Sequence, residues 1–506
     1  MSSSDKTRAF LEIAPQFKLG HLETESFHPK TQDLSNLVRR DIKAAHKLLQ
    51  DIDQDALILL RDKGDALWGL SLVIQDTLAK GHKVFMCGCG ATGRLSLVLE
   101  TLFRQKFGSS DQILSFMAGG DFALIKSVES FEDKSFYGER QLIELGFGPD
   151  DLLIASSEGG ETPFVIGAVQ KAAISSSRKP YFLYCNPDEL LMPIIRSKEV
   201  LEENNIVKVN LTVGPMAISG STRMQASTVL MLGIGVGLLY QHRDAEEFHN
   251  FFLEFLDRLS STDYSCMAPF TLLETNLYKN QKFLNYITDS HLAISILTDT
   301  TERSPTFSLK GFENLLDQDD SHALAYLFLP EAQTSDLAWE QLLWRSPRPV
   351  EWAELNGKIS LRPLLGFDIS KRGMENRSSK IPTQDFSISY SNAQVTFKCG
   401  PHIEKFNWGE DPLFTHLMIK MLLNAHSTLI MGLLGRYEGN VMTWVRPSNN
   451  KLIDRAARYI LQVLKQNNKN PSYEEVIFKI YDNIEMSHEN ESIVLKVVEH
   501  FNNCPD

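Results

Sequence analysis

Residues 83–95 read KVFMCGCGATGRL. A short apolar run stops at Gly88, a second glycine follows two positions on, and a helical pattern begins by Arg94. An unbroken apolar run of this length suits a strand buried on both faces, as in a parallel sheet covered by helices. The same rhythm returns in ILSFMAGG (113–120), DLLIASSEGG (151–160), PYFLYCNP (180–187) and VKVNLTVG (207–214), with helical spacing between. This alternation predicts an α/β protein with a doubly wound parallel sheet and helices on both faces. Ligands of such sheets sit beyond the carboxyl ends of the strands. Here those ends carry the Gly- and Ser-rich turns.

Working outward, residues 1–80 read as a helical N-terminal segment, from the apolar spacing between Leu34 and Leu78. A weaker α/β round begins near residue 266. Within it HLAISILTDTTERSPTF (291–307) and HALAYLFLP (322–330) read as strand-like, and FSISYSNAQVTFKCG (386–400) alternates like antiparallel structure. A long helix is expected from about Pro412 to Arg436, then a turn-rich RPSNNKL (446–452) and a small helical appendage. The 506 residues exceed what one core covers. The expected division is a helical segment 1–80, a first domain 81–245, a degenerate second domain 246–456 and a C-terminal region 457–506.

Hydrophobic residues make up 43% and charged residues 23%, an ordinary globular composition, with a net charge of −13. No Lys/Arg run supplies the basic face that sequence-independent nucleic-acid binding needs. An acidic chain still binds phosphate where backbone N–H groups form a local nest. Of the six cysteines (Cys87, Cys89, Cys185, Cys266, Cys399 and Cys504) only the first two are close, at a spacing that makes neither a zinc knuckle nor a redox pair. Reduced thiols, no metal and no cofactor are expected. The first 20 residues lack a basic stretch followed by an apolar core, so a cytoplasmic location is expected. The longest apolar stretch, 228–240, is shorter than the roughly 20 residues of a membrane span and reads as a buried helix.

Three turns are candidates for chemistry. In GCGATGRL (88–95), Gly90 lets the backbone approach a ligand and Thr92 can cap the helix and touch an anion. The alternatives are a tight turn with nothing bound, or a dinucleotide loop, since GCGATG fits GxGxxG. The dinucleotide reading needs an acid about 20 residues on, at the end of the second strand. Residues 113–120 end instead in AGG, followed by Asp121. In SSEGGETPF (156–164), Ser157, Glu158 and Gly159 precede Pro163, a residue suited to a first helical turn. In SGSTRMQ (219–225), hydroxyls including Ser221 precede a long apolar helix, where a plain N-cap is the simpler reading.

Taken together, GCGATGRL, MAGGDFALIKSVESFED (117–133), SSEGGETPFVIGA (156–168), CNP (185–187) and GPMAISGSTRM (214–224) resemble the sugar isomerase (SIS) domain. Within it they look like the N-acetylmuramic acid 6-phosphate etherase and glucokinase regulatory protein families, and residues 423–456 are similar to the matching end of the same two. The length and the second α/β round look like the regulatory type, which fuses two such domains. The resemblance implies an active-site acid at Glu302, in TERSPTF (301–307). The same position in the first domain is Leu102, while SFED keeps the other acid at Glu132. One composite site between the lobes follows from that division. Lys451, in SNNKL, matches a phosphate-contacting lysine, and an ammonium suits a phosphate as a point charge. As a loop residue it is expected to matter little for stability. Departures from the family pattern fall at Glu161, Met216 and Gln225.

The resemblance thus implies a sugar-phosphate-binding protein of the regulatory type, taking a hexose 6-phosphate or an amino-sugar 6-phosphate. A sugar kinase is the protein partner it offers; nucleic acid and membrane are not expected partners. The alternative is a lyase that releases lactate from N-acetylmuramic acid 6-phosphate. One of Glu132 and Glu302 would abstract a proton and the other protonate the departing oxygen. A sugar-phosphate isomerase is a third reading, but these motifs hold no histidine to serve as its base.

Overall fold

The apolar runs of the first half pair as one all-parallel sheet: β1 (Val84–Gly88), β2 (Ile113–Met117), β3 (Leu152–Ser156), β4 (Tyr181–Tyr184) and β5 (Val207–Asn210). Their order is β2-β1-β3-β4-β5. The computed structural model describes residues 2–108, 110–128, 131–447, 449–466, 468–484 and 491–503. Cys504 lies outside these residues, as do Glu129 and Ser130 of the 117–133 motif and Ser448 of SNNKL. Every residue of β1, β2 and β3 is buried, which is why these strands carry almost no polar side chain. With this order the connections from β1 and β3 leave in opposite directions. Their carboxyl ends therefore open a crevice, and GCGATGRL and SSEGGETPF line it.

The second sheet holds β6 (Phe283–Thr288), β7 (Ala325–Phe328), β8 (Thr383–Ser391), β9 (Gln394–Cys399) and β10 (His402–Phe406), in the order β10-β9-β8-β6-β7. Strands β6, β7 and β8 are parallel, while β8, β9 and β10 form an antiparallel meander. One expectation fails here. Residues 291–307 do not form a strand; Ala293–Phe307 is a helix. That helix is buried at almost every residue between the two lobes, so neither a strand's nor a surface helix's polarity pattern survives in it. The first strand of this lobe is FLNYIT, where the buried Asn285 interrupts the apolar run and donates to Ser378 Oγ at 3.0 Å.

The apolar stretch near residue 230 forms the helix Gln225–Leu239, buried at every position against helices Gly64–Ala79, Gly90–Phe107 and Pro412–Leu433. Helix Gly90–Phe107 also packs on Ala293–Phe307, joining the lobes directly. At the C-terminal end, helices Asn450–Gln466, Tyr473–Ile484 and Ile493–Asn503 pack together. The first of them reaches back over the first lobe: Arg455 pairs with the buried Glu25, and Tyr459 Oη donates to the Ser219 carbonyl at 2.6 Å. Among the described residues no helix is long and apolar enough to cross a membrane, and the five described cysteines are unpaired.

Candidate functional site

The turn after β1 is shaped by close approach. A Cβ on Gly88 would stand 2.4 Å from the Thr92 carbonyl carbon, so only glycine lets the chain fold back there. Thr92 closes the turn: its Oγ1 accepts from Cys89 N at 3.0 Å and donates to Cys89 O at 2.9 Å. The hydroxyl offered by the sequence to an anion is thereby committed to the loop. Gly90, at φ +53, begins the helix and faces open space, with nothing within 4 Å of where a Cβ would be.

In the turn after β3, Ser157 Oγ accepts from Gly160 N at 3.1 Å and shares a bond with Thr162 Oγ1 at 3.0 Å. The Gly159 carbonyl accepts from Asn186 Nδ2 at 3.0 Å, which ties CNP to this loop. Ser157 and Gly159 thus hold the loop's shape. Pro163 opens the helix Pro163–Ser175, as its type suggests. Glu158 is buried, and its Oε1 has no partner in the protein. Burial, with the nearby Glu302 charge adding, pushes its carboxyl up to about 7.

Glu302 comes from the second lobe on helix Ala293–Phe307; it too is buried, with Oε1 unpartnered. Burial raises its pKa, and Arg94, Arg223 and Lys420 oppose that rise. Ser221 is buried with an unpartnered Oγ. The plain N-cap reading for its segment fails, because Met224 holds the cap position of Gln225–Leu239 and no side chain caps it. Glu132 is half-buried, its Oε1 accepting from Asn449 Nδ2 at 3.1 Å. Burial raises its pKa, and Lys451 works against that rise. The Glu302 charge reaches Glu158, and the buried Cys89 thiol, in the turn after β1, is raised by burial and then by Glu132, Cys87 and Glu158.

Lys451 lies in the first turn of helix Asn450–Gln466, and its Nζ donates to Glu161 Oε1 at 2.7 Å. It is therefore a partner of a buried carboxylate, which corrects the expectation of a free loop lysine. Three further cations escaped the sequence reading. Arg94 donates to the Ala123 and Leu124 carbonyls, Arg223 pairs with Asp299 at 3.1 Å, and Lys420 is buried. Lys420 Nζ donates to the carbonyls of Arg223 and Met224, to Thr228 Oγ1 and to Asn424 Oδ1. Burial brings its pKa down to about 8, with the Glu302 charge opposing. A lone lysine in the apolar run LFTHLMIKMLL was the one signal available.

The equivalent place in the second lobe is closed from within. After β6 the chain reads TDSHL in place of a glycine loop. Asp289 Oδ1 accepts from His291 N and Leu292 N at 2.9 and 3.2 Å, and Oδ2 from Tyr390 N at 2.8 Å. A carboxylate of the chain itself stands where the first lobe presents an open turn. Asp121, the acid that follows AGG, is taken by Arg345 at 2.7 Å.

Residues 70–173 match the glucokinase regulatory protein N-terminal SIS domain. An N-acetylmuramic acid 6-phosphate etherase of Synechococcus elongatus is 30% identical over 211 residues, 42% of this chain and 64% of that one. The chain thus spans a little under two thirds of that relative's length. The etherase of Rippkaea orientalis is 30% identical over 221 residues, 43% of this chain and 67% of its own. A solved tagatose-6-phosphate ketose/aldose isomerase of Escherichia coli aligns at a TM-score of 0.44 and 10% identity, covering 81% of this chain and 98% of that one. With two thirds of the Rippkaea orientalis relative covered at 30% identity, the chain belongs to the N-acetylmuramic acid 6-phosphate etherase family, and its residues 70–173 are similar to the SIS domain of the glucokinase regulatory protein.

Proposed function

We propose that this protein binds one phosphorylated sugar, a hexose 6-phosphate or an amino-sugar 6-phosphate, in a composite site at the crevice between β1 and β3. The observation that carries this reading is a set of buried oxygens without protein partners. Glu158 Oε1 and Ser221 Oγ come from the first lobe and Glu302 Oε1 from the second. Buried polar atoms are ordinarily hydrogen-bonded, and sugar hydroxyls supply the donors these oxygens lack. Gly90 leaves room at the mouth, and the charges of Arg94 and Lys420 reach Glu302. The test is thermal unfolding with glucose 6-phosphate and with glucose. The phosphate ester should raise the melting temperature as RT ln(1 + [L]/Kd) and the free sugar should not. Equal shifts from both would refute the phosphate assignment.

A second reading, lactate-releasing cleavage of N-acetylmuramic acid 6-phosphate, draws on the carboxyl groups. An elimination needs an ionised base and a protonated acid, hence groups whose pKa values are pushed apart. Burial sets Glu158 near 7, and it raises Glu132 and Glu302 as well. Lactate assay after incubation with that substrate decides between the readings. If the chain is a lyase, Glu132→Gln and Glu302→Gln each abolish most turnover and the double variant is scarcely worse. If it is a binding protein, no lactate forms and the same changes alter affinity alone. The family match supports a sugar kinase as protein partner, testable by co-sedimentation with purified hexokinases. The unpaired thiols support a cytoplasmic location, testable by microscopy of a tagged chain.

A further inference from the structure

Glu161 sits at the end of the loop that lines the crevice, and the residue is 4% exposed. Its Oε1 accepts from Lys451 Nζ at 2.7 Å, and Arg196 holds Oε2 and also the Glu161 carbonyl. The head group folds back against its own loop, with Oε1 3.5 Å from where a Cβ on Gly159 would stand. In spite of burial, Lys451 and Arg196 hold the carboxyl down to about 2, so it is a fixed negative charge at any working pH. Around the same ammonium lie Glu25, Glu132, Asp133 and Glu158, all of which feel Lys451. Lys451 keeps a side chain 29% exposed, so it can reach a ligand without unfolding the helix that bears it.

We propose that Glu161 is a specificity-determining residue: an internal carboxylate that competes with the ligand's phosphate for Lys451, so that a sugar phosphate binds only by exchanging that ammonium away from Glu161. This rests on the sugar-phosphate reading of the site and deepens it. Two features of the chain support an exchange over a permanent ion pair. The guanidinium of Arg196, which also donates to the Gln16 carbonyl at 3.1 Å, stays with Glu161 when Lys451 leaves, so the buried carboxylate is never without a partner. The second lobe shows a comparable self-occupation, where the Asp289 carboxylate takes up three backbone N–H groups of its own lobe.

The test is calorimetric titration of glucose 6-phosphate into the full chain, with circular dichroism to confirm folding. Glu161→Gln should tighten binding about tenfold, the size expected of one unit charge a few ångströms away in partly screened surroundings. The double variant Glu161→Gln with Lys451→Ala should lose that gain. Unchanged or weaker binding in Glu161→Gln, with measurable binding to the native chain, overturns the competition and leaves the site reading intact. No binding to either protein overturns the site reading, and the competition falls with it. If Glu161→Gln does not fold, Glu161→Asp takes its place. The shorter side chain keeps its charge beside Arg196 but retreats from Lys451, and a smaller gain in the same direction is expected. No gain in that variant also overturns the proposal.

Discussion

Arg345 grips Asp121 with both prongs of its guanidinium, Nη1 to Oδ2 at 2.7 Å and Nη2 to Oδ1 at 3.0 Å, across the interface between the lobes. Both side chains are buried, and Arg348 N adds a donor to Asp121 Oδ2 at 2.6 Å. Removing one member of such a pair leaves the other charged and unpaired inside the protein. Arg345→Ala should therefore cost about 3–5 kcal/mol in urea unfolding. Adding Asp121→Ala should cost less than the sum of the two single changes, because the pair couples. Additive losses would show that the two residues act independently.

Asp289 closes the turn of the second lobe by accepting from three backbone N–H groups. Titration of the native chain should accordingly give about one sugar phosphate per chain, as for a pocket formed between domains. Asp289→Ala should lower stability by about 1–3 kcal/mol, as three backbone donors, two of them in part-buried bonds, lose a charged acceptor. A stoichiometry of two would mean that the second lobe binds on its own.

Glu158 makes stability depend on pH. Its carboxyl titrates near 4.5 in the unfolded chain and at about 7 in the folded one. Between those values the folded state holds a proton that the unfolded state has lost. The contribution is therefore complete below pH 4.5 and fades as pH rises through 7. From pH 4.5 to 8 the native chain should lose about 3 kcal/mol relative to Glu158→Gln. Asp53, raised by burial to about 6, acts in the same window but is common to both proteins. Parallel stability curves for the two would put Glu158 in contact with water.

Lys451→Ala should weaken binding of glucose 6-phosphate by about 1.5–3 kcal/mol, the range for a hydrogen bond to a charged group. Because Lys451 also neutralises the buried Glu161, the ligand-free protein should unfold at a lower temperature as well. Calorimetry and a melting curve on one preparation separate the two effects. Unaltered affinity would mean that the C-terminal helix does not reach the ligand.

Much of the first lobe could be read directly from the chain. Strands buried on both faces leave unbroken apolar runs, and a glycine after several of them marks where the backbone must turn tightly, as at Gly88. The second lobe was harder because its elements break their own patterns. Asn285 interrupts β6, and helix 293–307 is buried all round, so its periodicity disappears. The site divides in the same way. Arg94, Glu132, Glu158, Ser221 and Glu302 stand in recognisable motifs, whereas the burial of Lys420 and the pairing of Lys451 with Glu161 depend on elements far apart in the chain.

The sequence by itself determined the alternation of strand and helix, the turns that shape the first crevice, and the residue types available there, because these follow from local backbone geometry and from which side chains tolerate burial. Only the tertiary structure decided which of those groups are spent on the fold and which keep an oxygen without a partner. It used Thr92 and Ser157 to close loops, matched Glu161 with Lys451, and left Glu158, Glu302 and Ser221 unsatisfied. The reason is physical: a hydrogen bond or an ion pair depends on distance in space, and packing two lobes brings together groups that the chain keeps far apart.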